Sequence, residues 1–290
     1  MKDLNRLPQN VTDANSDDLD LAVRTYLDAV ATQPDDADAN INLGYFLSLK
    51  GLYEGALSAY NRAIALAPTN SNAYFYLGVF LAERGHIDDA ISALTKSLSL
   101  DPDASDVHYC LGNAYGEKGA LDDAVAQYYK AIQINTQDAN AHYNLGITLF
   151  GLERYEEAIT IWQQQIQLDA DSPDLYIHIG DAMVETTRHA EALDQYRKAT
   201  IVNPLYAFAH NKLGNALASM GKLEEAVNEY RQALQIDPVY VEAYVNCGIV
   251  FDRLSLHKEA QQMYQKALLV SPNDTDAQHD LKLSMRLSGS

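Results

Sequence analysis

The hexapeptide AHYNLG, Ala141 to Gly146, returns 68 residues later as AHNKLG, Ala209 to Gly214. Half of that interval is the period of the chain. Steps of 34 residues from Gly146 land on Gly44, Gly78, Gly112, Gly180, Gly214 and Gly248, so seven of the fifteen glycines stand in one ladder. A second ladder follows twelve residues after each glycine: Ala56, Ala90, Ala124, Ala158, Ala192, Ala226 and Ala260. A third, four residues further on, is bulky: Tyr60, Leu94, Tyr128, Trp162, Tyr196, Tyr230 and Tyr264. Self-similarity at a fixed period marks a repeat architecture. Here one unit is copied seven times without insertion.

One copy shows what the unit is. In Ala139–Ala170, Tyr143, Leu145, Ile147, Leu149 and Phe150 lie in a first helical run, and Ala158, Ile159, Trp162 and Ile166 keep apolar groups three or four apart in a second. The breaker between the runs carries Gly51, Gly85, Gly119 or Gly221 in other copies, suited to the left-handed residue that ends a helix. Asp36, Asn70 and Asp274 are capping candidates. Pro34, Pro68, Pro102, Pro204, Pro238 and Pro272 follow helix ends. Each unit is therefore predicted to be two antiparallel helices. Its small residues let the axes approach, and stacking on the neighbouring unit buries what one hairpin cannot.

These ladders resemble the tetratricopeptide repeat, with its 34-residue period and Leu-Gly, Tyr, Ala, Pro skeleton. The resemblance implies an all-α fold, a right-handed superhelical solenoid of antiparallel helix pairs. The copies run 37–70, 71–104, 105–138, 139–172, 173–206, 207–240 and 241–272. Residues 17–36 read as a lone second helix, and residues 273–290 as a capping helix and tail, a polar lid with Lys282 where every copy has glycine. Residues 1–16 are polar and read as loose chain or a poor first helix. The sequence departs from the family at its first-helix tryptophan, which becomes Asn40, Tyr74, His108, His142, Tyr176, His210 and Tyr244. Gln165 replaces the Ala or Ser of other copies, and Thr136 and Ala170 replace loop prolines.

Composition narrows the function. The net charge of −19 argues against nucleic acid, which needs clustered Lys and Arg, and against anionic lipid surfaces. No stretch approaches the about 18 consecutive apolar residues of a membrane span. MKDLNRLPQN lacks the apolar core of a signal peptide, so a cytoplasmic location is expected. Cys110 and Cys247 belong to distant copies and are expected to stay reduced.

No chemistry is legible. The recurring His108, His142 and His210 read as core-edge residues, and no HExxH or CxxC offers a metal cage. GNALASMGKL, Gly214 to Leu223, has the wrong spacing for a phosphate loop and lacks its Ser or Thr. Asp88-Asp89, Asp122-Asp123 and Glu156-Glu157 read as first-turn acids favoured by the helix dipole. The expectation is a protein that is not an enzyme, with no catalytic residue, metal or cofactor.

The resemblance implies a concave groove lined by positions 2, 5, 6, 9, 12 and 13 of each copy. Those positions supply the expected peptide-binding residues Asn42, Tyr45, Phe75, Tyr76, Tyr109, Asn113, Tyr143, Asn144, His178, Asp181, Asn211, Asn215 and Asn246. Asparagine can pair with a peptide backbone as donor and acceptor. An aromatic face gives large contact area at low entropy cost. The carboxylate clamp of chaperone co-factors is excluded. Asn113 with Asn144, and Asn215 with Asn246, match its asparagines, but its basic places hold Tyr109, Asp174 and His178, or Asn211, Asp276 and Asp280. The asparagine ladder is more similar to that of O-linked N-acetylglucosamine transferases or peroxisomal targeting receptors. The groove positions hold nine acids (Asp38, Glu83, Asp106, Glu117, Asp174, Asp181, Glu185, Glu242 and Asp252) and two bases, Lys212 and Arg253, a net of −7.

The expected function is a protein–protein interaction scaffold or adaptor. It would bind an extended segment that mixes basic and apolar residues, with the monomer as the favoured state. Two alternatives stand beside it: the substrate-selecting subunit of an enzyme whose catalytic chain is separate, and a self-associating structural unit.

Overall fold

The computed structural model describes residues 16–168 and 172–289; residues 1–15, on which most of the N-terminal expectation falls, and Ala170 lie outside them. The described residues form α-helices and the turns between them. α1 is Ser16–Thr32. First helices of successive copies are α2 (Ala37–Leu49), α4 (Ser71–Glu83), α6 (Ser105–Lys118), α8 (Ala139–Gly151), α10 (Pro173–Glu185), α12 (Ala207–Ser219) and α14 (Val241–Arg253). Second helices are α3 (Tyr53–Leu66), α5 (Ile87–Leu100), α7 (Leu121–Ile134), α9 (Tyr155–Leu168), α11 (His189–Val202), α13 (Leu223–Ile236) and α15 (His257–Val270). α16, Thr275–Ser288, follows. The chain divides into two compact units, Met1–Asn144 and Leu145–Ser290, with the boundary inside α8.

Within unit 1, α2 packs on α3, α4 on α5 and α6 on α7, while α4 also touches α2 and α6. Within unit 2, α10–α11, α12–α13 and α14–α15 pair likewise, and α12 touches α10 and α14. The glycine and bulky ladders explain this pairing. A Cβ placed on Gly44, Gly112, Gly180, Gly214 or Gly248 would fall 2.5–2.7 Å from the ring of Tyr60, Tyr128, Tyr196, Tyr230 or Tyr264. Gly78 would meet Leu94, and Gly146 would meet Trp162. Each glycine is thus the socket for the bulky residue sixteen positions later.

The loop within each copy has one left-handed residue. Four are glycines, Gly51, Gly85, Gly119 and Gly221, with φ of 75° to 80°. The same place in the other copies holds Glu153, Thr187 and Ser255 at φ of 60° to 61°, where a Cβ is unfavourable. Asp36 caps α2 by accepting from the Ala39 N–H, Asn70 caps α4 and Asp274 caps α16. Three residues at the family's tryptophan position tether loops: His108 Nε2 lies 3.2 Å from the Pro102 carbonyl, His210 Nε2 3.2 Å from that of Pro204, and the Tyr244 hydroxyl donates to that of Pro238.

α16 buries Ala277 and Ser284. It is less polar outside than the sequence suggested, because Leu283, Met285 and Leu287 are each about half exposed.

Candidate functional site

All of the thirteen expected residues but Asn42, Tyr143 and His178 separate into two groups in the structure. The first lines a hollow of about 1110 Å³ in unit 1. Tyr45 of α2, Phe75 and Tyr76 of α4 and Tyr109 of α6 all face it, with Asn72, Asn140 and Cys110. Tyr45 and Tyr76 have ring centroids 6.2 Å apart at 64°, and Phe75 meets Tyr76 edge-on at 5.1 Å. These residues are half-buried and line the hollow with part of their surface exposed. Burial and then Glu83 raise the Tyr45 phenol above its ordinary pKa; burial, then Tyr45 and Asp106, raise that of Tyr76. Burial above all pushes the Cys110 thiol up to about 12, so it stays protonated at neutral pH and is a poor nucleophile.

The loops between copies complete the hollow, and reading first-helix positions alone missed them. Asp101, Asp103, Ala104, Asn135, Gln137 and Asp138 form part of its wall. Asp138 is occupied, capping α8 through the Ala141 N–H at 3.0 Å. Asp101, Asp103 and Asp106 are exposed. The lining contains no Lys or Arg. The available signal was the loop Asp101-Pro102-Asp103, where the preceding copy has Ala67-Pro68-Thr69.

The second group is asparagines and acids engaged inside the chain. Asn113 Oδ1 accepts from the Tyr128 hydroxyl at 2.7 Å and from Asn144 Nδ2 at 2.9 Å, and Asn144 also reaches the Tyr109 hydroxyl at 3.3 Å. Asn215 Oδ1 accepts from the Tyr230 hydroxyl at 2.7 Å. Asp181 repeats the arrangement with a carboxylate: the Tyr196 hydroxyl donates to it at 2.6 Å, and Lys212 Nζ at 2.9 Å. Asn211 is a correction to the expected site. It is fully buried; its Nδ2 donates to the Tyr240 hydroxyl and Glu242, and its Oδ1 accepts from Asn246 at 3.2 Å. A partner cannot reach it. Asn113 and Asn215 therefore have an internal cause, since a buried tyrosine hydroxyl needs an acceptor, while Asn144, Asn211 and Asn246 donate within the chain.

Trp162 tests that cause. Its copy has Ile147 where Asn113 and Asn215 stand, and among the described residues Trp162 Nε1 has no hydrogen-bond partner. Gln165 Oε1, one turn on, is also buried without a partner among them. His178 stacks on Trp162 with centroids 5.2 Å apart. Burial lowers its pKa below the ordinary value, against the pull of Asp181 and Asp174.

In unit 2, a smaller hollow of about 400 Å³ is lined by residues that include Phe150, Asp181, Glu185, Lys212 and Asn215. Here Lys212 already neutralises Asp181 and lies over the Phe208 ring at 5.4 Å. Asp174 accepts from the Tyr206 hydroxyl, and Arg253 donates to the Ala218 carbonyl. Asn42 and Tyr143 are half-buried and line neither hollow.

Helix pairs in register, with a concave polar and aromatic surface, define a helical-repeat protein of the interaction-module class. The chain belongs to the tetratricopeptide repeat family. Models described as "TPR repeat" match residues 80–119, 112–153 and 214–255, and models described as "Tetratricopeptide repeat" match 14–71, 59–92, 135–174 and 241–274. Such repeats are protein–protein interaction modules. Among solved structures, the C-terminal part of a TPR repeat-containing protein from Cytophaga hutchinsonii is 17% identical, with a TM-score of 0.71 over 83% of this chain and 99% of that one. YrrB, described as a TPR protein with an unusual peptide-binding site, is 24% identical, with a TM-score of 0.54 over 66% of this chain and 99% of its own. MamA is 26% identical, with a TM-score of 0.54 over 58% and 92%. No curated protein matches the chain. Among the described residues no helix is long and apolar enough to cross a membrane.

Proposed function

We propose that this protein is a non-catalytic interaction scaffold that binds an extended segment of a partner in the hollow of unit 1. The segment mixes Lys or Arg with apolar residues. One observation carries the reading: a concave surface of about 1110 Å³ combines four aromatic side chains with acidic ones and contains no base. Aromatic faces attract cations and cover apolar stems. A concave surface of one sign focuses its field and speeds the encounter with opposite charge. Unit 2 supports the assignment by contrast, since both groove bases lie there and already hold its polar groups.

The test is fluorescence anisotropy with a labelled extended peptide alternating Arg and Leu, against the same peptide with Glu for Arg. The Arg peptide should bind at least about tenfold more tightly, a difference of 1.4 kcal/mol. Asp103→Asn with Asp106→Asn should remove most of that preference and flatten its salt dependence, chiefly in the association rate. Both residues are exposed, so the fold should survive. Equal binding of the Glu peptide would overturn the reading.

A further inference from the structure

A second surface lies away from the hollow, where second helices of unit 2 end and lead into the next copy. Leu269 is 82% exposed, Leu205 78%, Ile201 75% and Val239 64%. Ile201 and Leu269 occupy the same place in α11 and α15, and Leu205 and Val239 the same place in consecutive loops. Ile201 and Leu269 stand two copies apart with Gln235 at the same place of α13 between them, and equal places of a repeat array fall along one edge.

The fold does not require these aliphatics. In unit 1 the place of Ile201 is taken by Ala65, Ser99 and Gln133, and that of Leu205 by Thr69, Asp103 and Gln137. Nor are they loosely held. Asn203 Oδ1 accepts from the Leu205 N–H, and Asp237 Oδ1 from the Val239 N–H, both at 3.1 Å. Exposed apolar residues gathered on one edge mark an interaction surface rather than scatter.

Charge selects the occupant. Lys198 precedes Ile201 by three residues and Lys266 precedes Leu269 by three, a spacing that puts each base beside its aliphatic on the helix surface. In α13 the same place is Gln232, and the base is Arg231, one residue earlier. All three bases are exposed. Their charged groups lie 5.8–6.0 Å from the rings of Tyr176, Phe251 and Tyr244, and none forms an ion pair among the described residues. On a chain of net charge −19, this edge carries three exposed bases and one acid, Asp237, whose Oδ1 already holds the Val239 N–H.

We infer that the edge formed by Lys198, Ile201, Leu205, Val239, Lys266 and Leu269 docks an acidic segment of another protein, folded with one apolar face. The segment's carboxylates meet Lys198, Arg231 and Lys266, and its apolar face covers the four aliphatics. The scaffold would then hold two partners of opposite charge, one in the hollow and one on the edge.

The test uses the full chain and an array of labelled 16-residue amphipathic helical peptides that vary the apolar face, each made with Glu or with Lys at the polar positions. Glu members should bind. Their affinity should fall at least about tenfold in Ile201→Gln with Leu269→Gln, and in Lys198→Glu with Lys266→Glu. It should be unchanged in Asp103→Asn with Asp106→Asn, which separates this surface from the hollow. Glutamine already stands at this place as Gln133, so the first variant should fold; circular dichroism checks it. The inference is overturned if no Glu peptide binds or if the edge variants bind as wild type does. It is also overturned if the variants abolish only self-association seen by light scattering, or only binding to vesicles of anionic lipid.

Discussion

Replacing Gly214 by alanine sets two effects against each other. Alanine is favoured over glycine inside a helix by about 1 kcal/mol, and Gly214 lies within α12. The new Cβ, however, would sit 2.6, 2.8 and 2.9 Å from three ring atoms of Tyr230. That ring is 1% exposed, and its hydroxyl is fixed to Asn215 at 2.7 Å, so it has no low-energy way to withdraw. Overpacking of this kind costs about 1–3 kcal/mol. Gly214→Ala should therefore lose up to about 2 kcal/mol net. Gly116 is the control: it lies inside α6, and a Cβ there meets only the Tyr128 hydroxyl at 4.0 Å. Gly116→Ala should gain somewhat under 1 kcal/mol, roughly the propensity difference alone. Urea unfolding followed by far-UV circular dichroism reads both. In a Tyr230→Ala background the penalty of Gly214→Ala should largely disappear, since paired residues couple. If Gly214→Ala stabilises as much as Gly116→Ala, the socket account of the glycine ladder is wrong.

Three further outcomes follow from the same geometry. Thr187→Gly should raise stability by about 1 kcal/mol, because a β-branched residue is held at positive φ, and a lower urea midpoint would count against it. Gln165→Ala should stabilise by about 1 kcal/mol or more by removing a buried oxygen without a partner; slower amide exchange in 155–168 would register it. His178 and His210 should oppose each other with pH. Burial lowers the folded pKa of His178, so its contribution is present above the unfolded value near 6.5 and lost as pH falls toward the folded one. Glu229 raises that of His210, so its contribution is full below about 6.5 and lost as pH rises through the folded value. His178→Gln should therefore shrink the acid loss and His210→Gln should enlarge it. Thermal melts from pH 5 to 8 that fail to separate the two variants would contradict the assignment.

The three ladders were legible as a period, and the period carried the helix pairs. It did not show that the glycine of one helix receives the tyrosine of the other, since a ladder lists residues without saying what each one touches. The asparagines were the harder case. Helix interiors disfavour asparagine, so on the sequence alone its recurrence points to a ligand. The structure gives most of them tyrosine hydroxyls and neighbouring asparagines instead. A partial signal is present: Asn113, Asp181 and Asn215 accompany Tyr128, Tyr196 and Tyr230, and Val79 and Ile147 accompany Leu94 and Trp162. But Tyr45 and Ile249 stand at that place beside Tyr60 and Tyr264, the latter donating to Asp252 instead. The aromatic half of the expected site converges in unit 1, but its acidic wall comes from loops, which helical periodicity does not reach. The left-handed Glu153, Thr187 and Ser255 are legible only through the register, which puts them at the place of Gly51, Gly85, Gly119 and Gly221, because their own chemistry does not announce the conformation.

The central claim is that unit 1, through its aromatic and acidic hollow, takes a basic and apolar segment. It is tested most directly by hydrogen exchange of the full chain with and without the Arg–Leu peptide. Slowed exchange should fall on residues 71–76, 101–110 and 135–140, which contain most of the lining, and should be lost in Asp103→Asn with Asp106→Asn. Slowed exchange confined to residues 145–289, or a pattern the variant leaves unchanged, would contradict the account.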